Sequence, residues 1–261
     1  AKWASRAKSI LIPYIVWNVL YYGAYVIGSR LPGISRVMGK GKLSFSLGQL
    51  LDVIVHYRYL YVFWYLHQLI LLVALAPLLY AVLKYFWSGL LFLGAVFGAV
   101  WAAADFPWLN EDALFYYGVG AFMALHGRRW EKAWNRGRWL LGIGLLGAGV
   151  MNLYLTRKYF LPGTTVAYRT LLPLGLWLLA DEGRLSPARP WMDCNFFLYA
   201  VHFAFVRLVN KGAALLLPKR VFVPVAIYLV MPGLMVGISY GLAVLVRRYA
   251  PGAWKVLNGW R

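Results

Sequence analysis

A chain of 261 residues that is 62% hydrophobic and 13% charged, with a mean hydropathy of +0.63, excludes an ordinary soluble domain, which carries about 25% charged residues. The formal charge of +19 does not make this a nucleic-acid-binding protein. Its Lys and Arg residues fall between apolar runs, where they orient helices and meet anionic lipid headgroups. A single cysteine, Cys194, leaves neither an internal disulfide nor a cysteine-based metal site.

The apolar runs predict an all-α, polytopic membrane protein with about eight spanning helices, near 10–28, 60–83, 88–106, 112–126, 139–156, 165–180, 196–217 and 221–246. The fourth and sixth are short for a crossing. Pro13, Pro77, Pro173 and Pro232 fall inside or near the ends of spans, where neighbouring helices satisfy the freed carbonyls. Gly142, Gly144, Gly147 and Gly149 favour close helix packing. Aromatic residues, 18% of the chain, suit anchors at both interfaces. With the N-terminus inside, fifteen Lys and Arg fall in the inner segments and nine in the outer ones, so both termini are expected on the cytoplasmic side. The densest basic cluster, Arg128, Arg129, Lys132, Arg136 and Arg138 with Trp130 and Trp134, reads as an interfacial loop or as a dock for an anionic headgroup. We find no repeat, so 1–261 is read as one transmembrane domain. It opens Ala1-Lys2-Trp3, without an initiating Met or a signal-peptide pattern, and is expected to be a piece of something longer.

Between the first two spans, Leu47 to Val55 reads as an amphipathic stretch lying along the outer surface. Asp52, His56 and Arg58 follow at short spacing and line an acceptor cleft or an ordinary solvated face. The second span carries Trp64, Tyr65, His67 and Gln68. Four-residue steps put Tyr61, Tyr65 and Gln68 on one face, with His67 elsewhere in an interhelix hydrogen bond or a site. Asn18 and Asn152 read as interhelix bonds. Arg169, inside the sixth span, needs a carboxylate, carbonyls, water or a ligand.

The most informative stretch is Asn195 to Phe205, NFFLYAVHFAF, which sets His202 in an apolar run. An ionisable ring within a bilayer points to a site; the alternative is a plain hydrogen bond to a neighbouring helix. At 100° per residue Asn195, Tyr199, His202 and Asn210 share a sector of about 80°, with Arg207 at its margin.

Four stretches together resemble the acyltransferase-3 family of integral membrane acyltransferases: Arg6 to Trp17 (RAKSILIPYIVW), Phe63 to Pro77 (FWYLHQLILLVALAP), Leu114 to Ala121 (LFYYGVGA), and the run from Asn195. Their order resembles the family's third to tenth helices. The family's first helix bears an Arg and a His, the latter regarded as its catalytic base. The resemblance therefore predicts two further helices ahead of Ala1. Ser9 stands where the family's basic lead-in has a second Arg, with Lys8 adjacent, and Asn195 stands where the family usually has Ser.

The resemblance implies transfer of an acyl group, commonly acetyl, from cytoplasmic acyl-CoA to a hydroxyl of a cell-surface saccharide or lipid-linked glycan. Acyl-CoA is then a co-substrate, no cofactor stays bound, and the protein sits in the bacterial cytoplasmic membrane. The expected partners are lipids, donor and acceptor, together with any accessory protein. The implied site has Tyr199 and His202 in supporting catalytic roles and Arg6 and Lys8 on the CoA phosphates. Trp64, Tyr65, Gln68, Arg169, Asn195 and Arg207 form its substrate pocket. Rival readings are a non-catalytic sensory or scaffolding module, a transporter, or a membrane glycosyltransferase using Asp52.

Overall fold

The structure, a computed structural model, describes residues 5–38, 41–102, 104, 106–127, 137–159, 162–180, 186–218, 220 and 222–260. It is all-α, with no strand among the described residues. Each apolar run became a helix: α1 (Ile12–Gly28), entered through a π-helical turn Ala7–Leu11; α4 (Trp64–Leu83), entered through a 3₁₀ turn Tyr61–Phe63; α5 (Phe86–Trp101); α6 (Glu111–His126); α7 (Arg138–Tyr159); α8 (Pro162–Leu179); α9 (Asn195–Leu216), entered through a 3₁₀ turn Pro190–Cys194; and α10 (Phe222–Tyr249). Shorter helices are α2 (Pro32–Met38), α3 (Leu47–His56) and α11 (Pro251–Leu257). Five of the helical segments, at Lys8–Gly28, Tyr61–Leu83, Arg138–Tyr159, Pro190–Leu216 and Phe222–Tyr249, are long and apolar enough to cross a membrane. The protein is therefore an integral membrane protein. Of the basic cluster only Arg138 lies within the described residues; Arg128, Arg129, Lys132 and Arg136 fall outside them, with Trp130 and Trp134.

Local chemistry explains several boundaries. Pro13 follows just after the π-helical turn; lacking an N–H, it cannot extend the backbone ladder into that turn. Ser46 caps α3, its hydroxyl accepting from Gln49 N at 3.1 Å. Tyr57 ends α3 in the left-handed region at φ 41°. Asn110 caps α6, accepting from Ala113 N at 3.0 Å, with Glu111 and Asp112 at the positive end of the helix.

Two compact units form, one from residues 1–70 and 188–261, the other from 71–187. In the first, Ile10 of the π-helical turn and Tyr14, Trp17 and Tyr21 of α1 bury themselves against Leu60, Phe63, Phe197, Ala200, Ala243 and Trp254. Aromatic side chains with polar tips tie this core. Trp17 Nε1 donates to Leu257 O at 3.0 Å and Tyr21 Oη to Ala200 O at 2.8 Å. Tyr14 Oη donates to Ile54 O at 2.5 Å, and Tyr199 Oη donates to Val62 O.

The Leu47–Val55 stretch forms α3, which runs down the side of α1. Leu43 N meets Ser29 Oγ at 3.1 Å at the end of α1. Tyr22 Oη accepts from Ser46 N at 3.2 Å, and Val53 packs with Tyr22 and Val26. Ile54 then reaches Tyr14, near the other end of α1. Val53, toward α1, is 2% exposed, whereas Leu47, Leu51 and Val55 face outward at 72%, 64% and 40%.

In the second unit, α5 and α6 pack antiparallel. A Cβ on Gly89 would lie 2.8 Å from the Phe122 ring, and one on Gly118 would lie 3.0 Å from Leu93. The α7 and α8 pair is also antiparallel, and here the glycine expectation is half corrected. Gly142 meets Leu179 and Gly149 meets Leu172, whereas Gly144 and Gly147 face open space. The reason is periodic: positions 142 and 149 are seven residues apart and share a face, which 144 and 147 do not.

From α8, Gly175 closes the same seam, where an added Cβ would stand 2.9 Å from Leu146 Cγ and 3.0 Å from Gly142 O. Gly175→Val should therefore destabilise the protein by about 1–3 kcal/mol, a fall of roughly 2–4 °C in Tm per kcal/mol at this size. Gly144→Ala should be neutral. Thermal unfolding in detergent reads both.

Candidate active site

Helix α9 carries the polar face expected from its spacing. Asn195, Tyr199, His202 and Asn210 all line one groove of about 1390 Å³, walled by Leu198 and Val206 of α9 and by Ile227, Met231 and Met235 of α10. The groove is mostly apolar, so these few polar groups define where a bound molecule's polar part can sit.

His202 is held by its own helix. Its Nδ1 lies 2.8 Å from Tyr199 O and 3.1 Å from Leu198 O. A ring nitrogen that close to a carbonyl oxygen must carry the proton, so in the neutral imidazole Nε2 holds the lone pair. That makes His202 a hydrogen-bond acceptor on the groove. Tyr199 differs. Its hydroxyl proton goes to Val62 O in the 3₁₀ turn, and its ring stacks on Phe63 at 5.5 Å and against His202 at 6.0 Å. It is built to place the imidazole and the turn.

The other expected residues are dispersed. Arg207 turns to α1, where Nη1 donates to Tyr25 Oη at 3.0 Å and the guanidinium lies 5.5 Å from the Phe203 ring. Arg6, just before the π-helical turn that leads into α1, and Lys8, within it, are both exposed. Tyr61, Trp64 and Tyr65 stay exposed, while Gln68 is buried, so Gln68 parts from the two tyrosines it was expected to join. Trp64, Tyr65 and Gln68 do not line the groove beside His202. Arg169 belongs to the second unit, where Nη1 bonds Asp112 Oδ2 at 2.8 Å; its partner is a carboxylate of α6 rather than a substrate. Asn18 and Asn152 also depart from expectation. Each donates to a carbonyl of its own helix, Tyr14 O and Ala148 O, at 2.8 Å. His67 makes no hydrogen bond through Nδ1, which is buried between the Tyr14 and Tyr57 rings at 6.2 and 5.4 Å.

Sequence reasoning passed over Tyr21 and Phe63, which contact α9 at Ala200 and Tyr199, and Tyr14, which stacks on Phe63. A signal was present. Tyr14, Tyr21 and Tyr25 stand seven and four residues apart, one stripe of α1 facing its neighbours.

The model of the acyltransferase domain, that of the acyltransferase-3 family, matches residues 1–244. The chain belongs to the acyltransferase-3 family. No curated protein and no solved structure matches it. Membership makes this a membrane acyltransferase in general terms.

The Arg169–Asp112 pair generates a separate expectation. Arg169→Met strands a carboxylate and should lower Tm, whereas Asp112→Asn combined with Arg169→Met should recover part of the loss. Thermal unfolding of the two single variants and the double variant measures the coupling.

Proposed function

We propose that this acyltransferase moves an acyl group, acetyl as the leading case, from cytoplasmic acyl-CoA to a hydroxyl of a cell-surface saccharide or lipid-linked glycan. In this reading the eight long helices all cross the bacterial cytoplasmic membrane, both termini face the cytoplasm, and the two compact units serve one transmembrane domain.

One observation carries the proposal: His202 lines the groove with its proton committed to Tyr199 O at 2.8 Å. A sugar hydroxyl is a poor nucleophile. It needs its proton directed at an acceptor while its oxygen adds to the thioester carbonyl. His202 Nε2 offers that acceptor and so orients the hydroxyl. As the C–O bond forms, the C–S bond breaks and the thiolate departs with the electron pair. Tyr199 keeps the ring in place through its stack and its bond to Val62. Asn195, on the same groove, supplies an amide for the developing oxyanion, which is stabilised by preorganised donors. Arg6 and Lys8 meet the CoA phosphates at the inner face, and Arg207 stiffens the α1–α9 contact through Tyr25.

His202→Ala and His202→Gln in the full-length protein should lower kcat for acyl transfer by about 100-fold or more, the usual range for a positioned proton acceptor. Membrane expression and Tm should be unchanged. Acetyl-CoA-dependent labelling of envelope glycans measures it, and wild-type turnover in both variants would overturn the assignment.

A further inference from the structure

The Asp52, His56 and Arg58 side chains stand together in a place the sequence did not suggest. His56 Nδ1 lies 2.9 Å from Asp52 Oδ1 and Arg58 Nε 2.5 Å from Asp52 Oδ2. One carboxylate thus joins a histidine and an arginine. Their helix, α3, does not float at a membrane surface. From Leu43 at Ser29 to Ile54 at Tyr14 it follows α1, and fifteen residues of helix correspond to about 22 Å of axis, a large part of a hydrocarbon core of about 30 Å.

Depth and exposure together are the informative combination. Asp52, His56 and Arg58 side chains are 32%, 53% and 62% exposed. Charged groups at such depth do not face acyl chains; they line protein-walled, water-filled space. The chain then turns at Tyr57, held in the left-handed region and packed on the His67 ring. Beyond it Tyr61, Trp64 and Tyr65 present largely uncovered rings.

We infer that re-entrant α3 builds an acceptor site in an aqueous vestibule, in which Asp52, His56 and Arg58 bind the hydroxyls of the polar acceptor and the Tyr61, Trp64 and Tyr65 rings pack its C–H faces. The chemistry fits a polyol better than an ion. The cluster offers an acceptor carboxylate, a donor guanidinium and an imidazole, whereas an anion would meet Asp52 and a cation would meet Arg58. Hydroxyl groups both donate and accept, and match all three. Asp52 holds the His56 proton on Nδ1, so Nε2 is its basic nitrogen. Arg58 spans the carboxylate and fixes the turn that brings the rings in. This inference rests on the acyl-transfer reading for the acceptor's role, but its placement of α3 does not.

The test uses the full-length protein in oriented vesicles. Gly48 shares the face of Asp52 and His56, one turn before Asp52, and a Cβ there meets nothing within 4 Å. Gly48→Cys should react with a membrane-impermeant maleimide added from the side that receives the end of α1. The natural chain, whose Cys194 is buried, provides the blank. Maltose, a soluble polyol probe, should slow that reaction at least about threefold. Asp52→Asn or Arg58→Ala in the same background should remove the protection while leaving the labelling. Failure of the impermeant reagent to reach Gly48→Cys would overturn the vestibule. Labelling that maltose does not slow would overturn the acceptor site, and so would slowing by inorganic phosphate alone. Because labelling needs no turnover, these outcomes are independent of whether His202 serves acyl transfer.

Discussion

Backbone carbonyls away from water must be met from within the protein, and in the first unit tyrosine and tryptophan meet them. Tyr14, Tyr21, Tyr199 and Trp17 each reach a carbonyl of another segment: Ile54, Ala200, Val62 and Leu257. Two of those carbonyls, Ile54 and Val62, belong to the end of α3 and the entrance of α4, where the chain is not regular helix throughout. Without water to compensate, a missing partner there is expensive. The four contacts tie α1 to α3, α9 and α11, and α9 to the entrance of α4.

This constraint reaches the chemistry. Tyr199 touches three things at once: the Val62 carbonyl, the Phe63 ring and the His202 ring. The 3₁₀ turn and the imidazole are thereby linked through one side chain. The tautomer of His202 is set by its own helix, through the carbonyls three and four residues back, so the ring's orientation does not depend on a distant partner. The re-entrant segment carries a second polar centre. Rings run from Tyr57 through His67, Tyr14, Phe63 and Tyr199 to His202, each centroid 5.4 to 6.2 Å from the next. The two centres share one aromatic spine.

The second unit solves its packing differently. Its seams depend on glycine: Gly142, Gly149 and Gly175 admit leucine side chains of the facing helix, and Gly89 admits Phe122. Close backbone approach replaces the hydrophobic drive that lipid cannot supply. The Arg169–Asp112 bond pairs a cation of α8 with a carboxylate of α6.

The eight apolar runs, and with them the all-α membrane class, were legible because helix length and hydropathy are local properties imposed by the bilayer itself. The polar sector of α9 was legible for the same reason, since 100° per residue holds within one helix whatever surrounds it. Partners were another matter. That Arg169 meets Asp112, that Arg207 meets Tyr25, and that Asn18 folds back on its own helix depend on which helices become neighbours. Periodicity carries no information about that choice. The Leu47–Val55 stretch shows the difference most clearly. Amphipathicity reported one hydrophobic face, but a face can be covered by lipid or by protein, and only the tertiary packing set Val53 against Tyr22 and Val26.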